Sequence, residues 1–152
     1  MGKIIAAPSG TGKTYFVKHT LNWIDLDSYV FDDFIHSIKG REKIAELLNW
    51  FDYNVITNSA SALKNPDIKN NVAYVVLPSD EMKMEILERV LKRDLNNKGS
   101  ADWSTLYQKE YEKLIMWFKS LPFPKIYLKP GQYVSDVIDK DGNPKPGVEV
   151  IV

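Results

Sequence analysis

The chain has 152 residues, with 20 Lys and Arg balanced by 20 Asp and Glu, 44% hydrophobic residues and no cysteine. This length suits one domain that buries about two-thirds of its extended-chain surface, and the composition is typical of a globular protein rather than a disordered one. The missing cysteines exclude disulfides, thiolate zinc sites and thiol nucleophiles, while the zero net charge disfavours a broad nucleic-acid-binding face.

The hydropathy of the chain indicates where the protein acts. No apolar run approaches the roughly 20 residues that a membrane-spanning helix needs. The apolar run from Ile4 to Ala7 is too short for the core of a signal peptide. We therefore expect a cytoplasmic protein without a membrane partner.

The predicted elements alternate between strand and helix along the chain. Strands are expected at Lys3–Ala7, Trp23–Asp25, Val55–Thr57, Val72–Leu77 and Lys125–Leu128. Helices are expected at Lys13–Asn22, Asp32–Lys39, Glu42 to about Trp50, Asp80 to about Leu95, Trp103–Lys119 and Tyr133–Ile138, with a loop at Asn96–Ser100. Because the strands are continuously apolar rather than alternating, they predict a parallel sheet covered on both faces. The expected fold is a three-layer α/β/α sandwich with about five strands.

A glycine-rich segment lies between the first strand and the first helix. It reads Ala7-Pro8-Ser9-Gly10-Thr11-Gly12-Lys13-Thr14 and is called here the glycine loop. Gly10 and Gly12 allow the backbone N–H groups to curl around an anion, and the helix start adds partial positive charge. Lys13 can reach the β- and γ-phosphates of a nucleotide, and the Thr14 hydroxyl can ligate Mg²⁺. The loop therefore predicts phosphate binding by Ser9, Gly10, Thr11, Gly12, Lys13 and Thr14, although Ala7 stands where this motif has its first glycine.

Acidic residues follow the second strand. The sequence Asp25-Leu26-Asp27 comes where the carboxyl ends of parallel strands meet at the ligand crevice. One carboxylate could hold Mg²⁺, and the other could orient or deprotonate an acceptor hydroxyl; a solvated acidic turn is the alternative. The third strand ends in Thr57-Asn58 without an acid, which disfavours a motor ATPase. Asp25 is therefore the better candidate ligand for the metal, together with Thr14.

Two arginines on the long helix that follows the fourth strand form another candidate group. Arg89 and Arg93 are one helical turn apart and share a face. Beside a flexible loop, two guanidinium groups could close over phosphates and stabilise the charge that develops in transfer. The alternative is an ordinary charged helix end, since the helix dipole favours basic residues there.

These motifs resemble those of the small nucleoside monophosphate kinases, and in layout the chain is similar to the short nucleotide kinases of bacteriophages. The resemblance runs from Lys3 to about Asp139. It rests on APSGTGKT, on DLD and on LERVLKR in the helix that follows the fourth strand. It implies a P-loop NTPase fold whose residues Gly10 to Thr14 hold the phosphates of ATP. It also implies that Asp25 and Asp27 lie on the Mg²⁺ and acceptor side and that Arg89 and Arg93 belong to a lid.

The expected organisation is a kinase-like domain at residues 1–140, with a short lid around 89–101, and a tail at 141–152 that forms a loose arm or an edge strand. The predicted activity is an ATP- and Mg²⁺-dependent transfer of phosphate to a nucleoside or deoxynucleoside monophosphate. Its catalytic residues would be Lys13, Asp27, Arg89 and Arg93.

Two other functions stay open from the sequence. The acceptor could instead be a polynucleotide 5′-end or a small hydroxylated metabolite. The DLD resembles the DxD that follows the second strand in polynucleotide kinases and shikimate-type kinases. A chain from another class, a nucleotide-binding module that transfers nothing, would also fit the missing acid after the third strand. A polynucleotide acceptor is disfavoured by the zero net charge.

Overall fold

The computed structural model describes residues 2–25, 53–58, 63, 69–98 and 102–152. Its strands are β1 (Ile4–Ala6), β2 (Trp23–Asp25), β3 (Asn54–Thr57), β4 (Val72–Pro78) and β5 (Lys125–Leu128). Its helices are α1 (Lys13–Lys18), α2 (Lys83–Lys98), α3 (Asp102–Ser120) and α4 (Val134–Val137), and a 3₁₀ turn at Asp80–Met82 precedes α2.

The five strands form one sheet in the order β2-β3-β1-β4-β5, and every neighbouring pair is parallel. The prediction of an α/β fold with a parallel sheet of about five strands is therefore confirmed. The registers are fixed by backbone hydrogen bonds, for example from Val55 N to Lys3 O at 2.9 Å.

Both faces of the sheet are covered. The three side chains of β1 are at most 1% exposed, as are Val75, Val76 and Leu77 of β4. Because successive side chains of a strand point to opposite faces, burial of consecutive residues requires packing on both sides. Crossovers between parallel strands are right-handed. The crossover that leaves β1 leads toward the β2 edge of the sheet, and the crossover that leaves β4 leads toward the β5 edge. This rule assigns α1 and the α2–α3 pair to opposite faces.

The glycine loop occupies the switch point of the sheet. From β1 the chain runs to β2 and β3 on one side, and then to β4 and β5 on the other side. In open parallel sheets, ligands bind outside the carboxyl ends of the strands at the place where the order reverses. The loop begins directly at the carboxyl end of β1, so it lies in that position.

The first helix is shorter than the sequence predicts. It was expected to reach Asn22 but ends at Lys18. The Thr20 hydroxyl donates to Phe16 O at 2.7 Å, so a side chain takes the place of a further helical N–H, and Asn22 adopts a left-handed φ of 63° that turns the chain into β2. Short polar side chains after Lys18 therefore end the helix.

The predicted loop at Asn96–Ser100 is wrong over its first half, because α2 continues to Lys98. Asp94 explains part of this extension. Its buried carboxylate accepts from Ser104 N at 3.0 Å, so the end of α2 is bound to the start of α3. The expected helices at Asp32–Lys39 and Glu42 to about Trp50 lie outside the described residues.

The tail packs back on the domain. Lys125 and Ile151 exchange two backbone hydrogen bonds of 2.7 and 2.8 Å, so the tail pairs antiparallel with the free edge of β5. Just before the tail, Lys140 O accepts a hydrogen bond from Trp23 Nε1 at 2.7 Å. None of the described helices combines the length and the apolar composition that a membrane-spanning segment requires.

Candidate functional site

The backbone of the glycine loop has the conformation that its glycines permit. Gly10 and Gly12 have φ values of 87° and 92°, in the left-handed region that other residues rarely adopt. Ala7 has no positive φ. Its side chain is fully buried beneath the loop, and its N–H donates to Thr57 O at 3.0 Å. Alanine in place of the usual first glycine is therefore compatible with the turn.

Three consecutive carbonyl groups of the loop are held by other elements. The Tyr107 hydroxyl donates to Ser9 O at 3.1 Å, and Arg89 Nη1 donates to Gly10 O at 3.1 Å. Val134 N, at the start of α4, donates to Thr11 O at 2.8 Å.

The orientation of these carbonyls determines the orientation of the amide groups. In a trans peptide the C=O and the following N–H point in opposite directions. The N–H of Gly10 is therefore directed away from Tyr107, and that of Gly12 is directed away from α4. Within the described residues, neither N–H has an acceptor. The loop thus keeps amide donors without an acceptor among the described residues, which is what an anion-binding nest requires.

Lys13 lies over the loop. Its side chain is 7% exposed, and Nζ donates to Pro8 O at 3.2 Å. The same carbonyl accepts from the Thr11 hydroxyl at 2.8 Å. The ammonium group therefore lies against the loop, next to the segment whose amides could bind an anion.

Thr14 and Asp25 come together as the sequence predicts. The Thr14 hydroxyl donates to Asp25 Oδ2 at 3.1 Å, which joins the first turn of α1 to the end of β2. Asp25 is buried, with 4% exposure. No group of three or more His, Cys, Asp or Glu side chains suited to a metal occurs in the described residues. Mg²⁺ needs few protein ligands when it also binds water and phosphate, so this hydroxyl–carboxylate pair fits it.

Arg89 contacts the loop instead of projecting freely into the crevice. Its guanidinium binds Gly10 O, pairs with Glu85 on the same helix, and donates to Gln132 O at 3.0 Å. It also lies over the Tyr133 ring, 3.9 Å from the ring centroid. One arginine therefore joins α2, the glycine loop and the turn before α4.

Two predicted site residues remain, Arg93 and Asp27. Arg93 is 44% exposed and pairs with Asp94 at 3.6 Å. The structure gives it no contact with the glycine loop. Asp27 is outside the described residues, so its predicted catalytic role stays a prediction.

Sequence reasoning missed several side chains that support the loop. Tyr133 packs so closely on Gly12 that a Cβ there would lie 2.9 Å from its Cδ1. Asn58 Nδ2 donates to the Ser9 hydroxyl at 3.0 Å, and Tyr107 holds the carbonyl of the same residue. These contacts span 49 and 98 residues of sequence. No local pattern could indicate them.

No family model matches the chain, and no curated protein matches it. Conclusions about its function therefore depend on the geometry of the site.

Proposed function

We propose that this chain is an ATP- and Mg²⁺-dependent phosphotransferase of the P-loop NTPase fold, with a nucleoside or deoxynucleoside monophosphate as acceptor. The observation that carries the proposal is the glycine loop at the switch point of the sheet. The Gly10 and Gly12 N–H groups have no acceptor among the described residues. The Lys13 ammonium group contacts Pro8 O, and the Thr14 hydroxyl contacts Asp25. This combination provides amide donors, a lysine ammonium group and a pair of oxygen ligands at one place.

In this proposal each group acts on a different part of ATP. The loop amides bind the β-phosphate, and Lys13 moves from Pro8 O to the β- and γ-phosphate oxygens. Thr14 and Asp25 would hold Mg²⁺. When bound, the ion would neutralise charge on the β- and γ-phosphates.

The transfer itself needs an in-line arrangement. An oxygen of the acceptor phosphate attacks the γ-phosphorus, a new P–O bond forms, and the bond to the β-phosphate oxygen breaks to release ADP. Lys13 stabilises the charge on the transferred group, and exclusion of water prevents simple hydrolysis. Asp27 belongs to the acceptor side in this proposal, and Arg93 belongs to a lid around residues 89–101 that closes over the phosphates. Arg89 would act mainly by fixing the loop, since its guanidinium already has four partners.

The proposal is tested by following the γ-phosphate of labelled ATP. The protein is incubated with Mg²⁺ and, separately, with nucleoside monophosphates, deoxynucleoside monophosphates, a 5′-hydroxyl oligonucleotide and shikimate. Label in a nucleoside diphosphate supports the proposal. Label in the oligonucleotide or in shikimate replaces the acceptor but keeps the reaction class, and release of free phosphate alone contradicts phosphotransfer.

A matched pair of lysine variants tests the role of the loop. Lys13→Ala should lower turnover by about 100-fold to 1000-fold, because it removes one preorganised cation from the transferred phosphate. Lys18→Ala is the control, because Lys18 lies on the same helix but is exposed. Turnover retained in Lys13→Ala would contradict the mechanism.

The second candidate function is nucleotide binding without transfer. Asn58 favours it, because β3 is followed by an amide that is bound to Ser9 and not by an acid. This alternative predicts that ATP binds with micromolar or better affinity while no labelled acceptor forms over hours.

A further inference from the structure

The α2–α3 pair holds the glycine loop at two consecutive carbonyl groups. Arg89 of α2 donates to Gly10 O, and Tyr107 of α3 donates to Ser9 O, each at 3.1 Å. The two helices are joined to each other by the contact between Asp94 and Ser104 N. The loop is therefore positioned by a helical pair that lies far from it in sequence.

We propose that Tyr107 is a positioning residue for the glycine loop: by fixing the Ser9 carbonyl, its hydroxyl aims the Gly10 N–H at the bound phosphate. The meaning of this role for catalysis rests on the proposed function. The geometry itself does not, since the hydrogen bond joins two residues of this chain.

The surroundings of Tyr107 suit a fixed donor. Its side chain is 2% exposed, and its ring packs edge-on against Tyr111 with centroids 5.6 Å apart. Burial raises the pKa of the Tyr107 hydroxyl, so it stays protonated and able to donate at neutral pH. A buried hydroxyl held in this way cannot easily exchange its acceptor for water.

Ser9 is held from a second direction as well. Its hydroxyl accepts from Asn58 Nδ2 at 3.0 Å, at the end of β3. With the side chain bound to Asn58 and the carbonyl bound to Tyr107, the peptide between Ser9 and Gly10 has little rotational freedom. Removal of the tyrosine hydroxyl would leave the side-chain contact intact and release the peptide group.

Tyr107→Phe and Tyr111→Phe form a matched pair for testing this role. Each removes one hydroxyl from a buried tyrosine on the same helix, but the structure gives Tyr111 no contact with the loop. The Gly10 and Thr11 amide resonances are recorded by NMR in both variants and in the wild type, without ligand. ATP affinity is then measured by titration calorimetry, first without and then with Mg²⁺.

The expected result is specific to one variant. Tyr107→Phe should shift the Gly10 amide resonance and weaken ATP binding about fivefold, as expected for one lost hydrogen bond. Tyr111→Phe should leave both quantities close to wild type, even where it lowers stability equally. If the two variants move the Gly10 resonance equally, or neither moves it, Tyr107 only packs and the inference is overturned.

A measurement on the wild type covers the case in which Tyr107→Phe does not fold. A hydrogen bond from the tyrosine hydroxyl should produce a deuterium isotope shift at the Ser9 carbonyl carbon, and absence of that shift would overturn the inference. If the wild type binds no ATP, the proposed function fails, while the Gly10 and Ser9 resonances still decide the positioning role.

Discussion

The guanidinium carbon of Arg89 lies 3.9 Å from the centroid of the Tyr133 ring, and that ring packs against Gly12 of the glycine loop. The cation, the aromatic ring and the glycine thus form one continuous contact from α2 to the loop. Arg89 also binds the carbonyls of Gly10 and Gln132. It therefore stabilises the loop through contacts within the chain.

This contact predicts different effects for the two arginines. Arg89→Ala should lower the free energy of unfolding by about 2–3 kcal/mol, because it removes charge-assisted hydrogen bonds and leaves Glu85 without its ion-pair partner. Arg93→Ala should cost less than about 1 kcal/mol, because Arg93 is partly exposed. Urea denaturation of both variants measures the difference, and equal costs would contradict the proposed role of Arg89.

Two glycines with similar left-handed φ values allow a test of the loop's packing. Gly12 and Gly131 have φ values of 92° and 84°, but a Cβ at Gly12 would meet Tyr133 at 2.9 Å, while a Cβ at Gly131 would meet nothing within 4 Å. Gly131→Ala should therefore cost about 1–2 kcal/mol from strain alone. Gly12→Ala should cost about 1–3 kcal/mol more and abolish ATP binding. Thermal unfolding and calorimetry measure the two effects, and unchanged ATP binding in Gly12→Ala would contradict the placement of the site.

The contact between Thr14 and Asp25 predicts a metal-dependent effect. Asp25→Asn keeps an oxygen that can accept from Thr14 but removes the negative charge. We expect ATP binding without Mg²⁺ to persist and the gain in affinity on adding Mg²⁺ to fall by about tenfold or more. Asp80→Asn is the control, because its carboxylate is exposed and pairs with Lys119. An unchanged Mg²⁺ effect in Asp25→Asn would remove Asp25 from the metal side of the site.

The buried tyrosines predict a loss of stability at alkaline pH. Burial, and then the nearby Asp80, raises the pKa of Tyr111 from 10.0 to about 12, and burial also raises the pKa of Tyr107. The unfolded chain therefore releases these protons first. The stabilisation is complete below pH 10 and is lost as the pH rises through 12. Each group contributes a slope of up to about 1.4 kcal/mol per pH unit.

Denaturation at a series of alkaline pH values measures this slope, and Tyr111→Phe should reduce it. Tyrosinate absorbance in the folded protein should show at least two of the eight tyrosines ionising late. Ionisation of all eight near pH 10 would contradict the burial of Tyr107 and Tyr111.

Much of the sheet was predictable because its strands carry their own signal. Trp23–Asp25 and Lys125–Leu128 occur at the predicted residues, since β-branched and aromatic residues bounded by turn residues favour strands. Helix ends were less predictable. The end of α1 depends on hydrogen bonds of Thr20, and the extension of α2 to Lys98 accompanies the capping contact of Asp94 with the next helix.

The sequence by itself determined the parallel α/β sheet and the position of the glycine loop between a strand and a helix. Those features follow from local patterns of apolar residues, glycines and hydroxyls. Only the tertiary structure decided which groups surround the loop. Arg89, Tyr107 and Val134 reach three consecutive carbonyls from elements that lie between 79 and 123 residues farther along the chain. Such contacts depend on how the helices pack on the sheet, and that packing involves the whole core rather than any single segment.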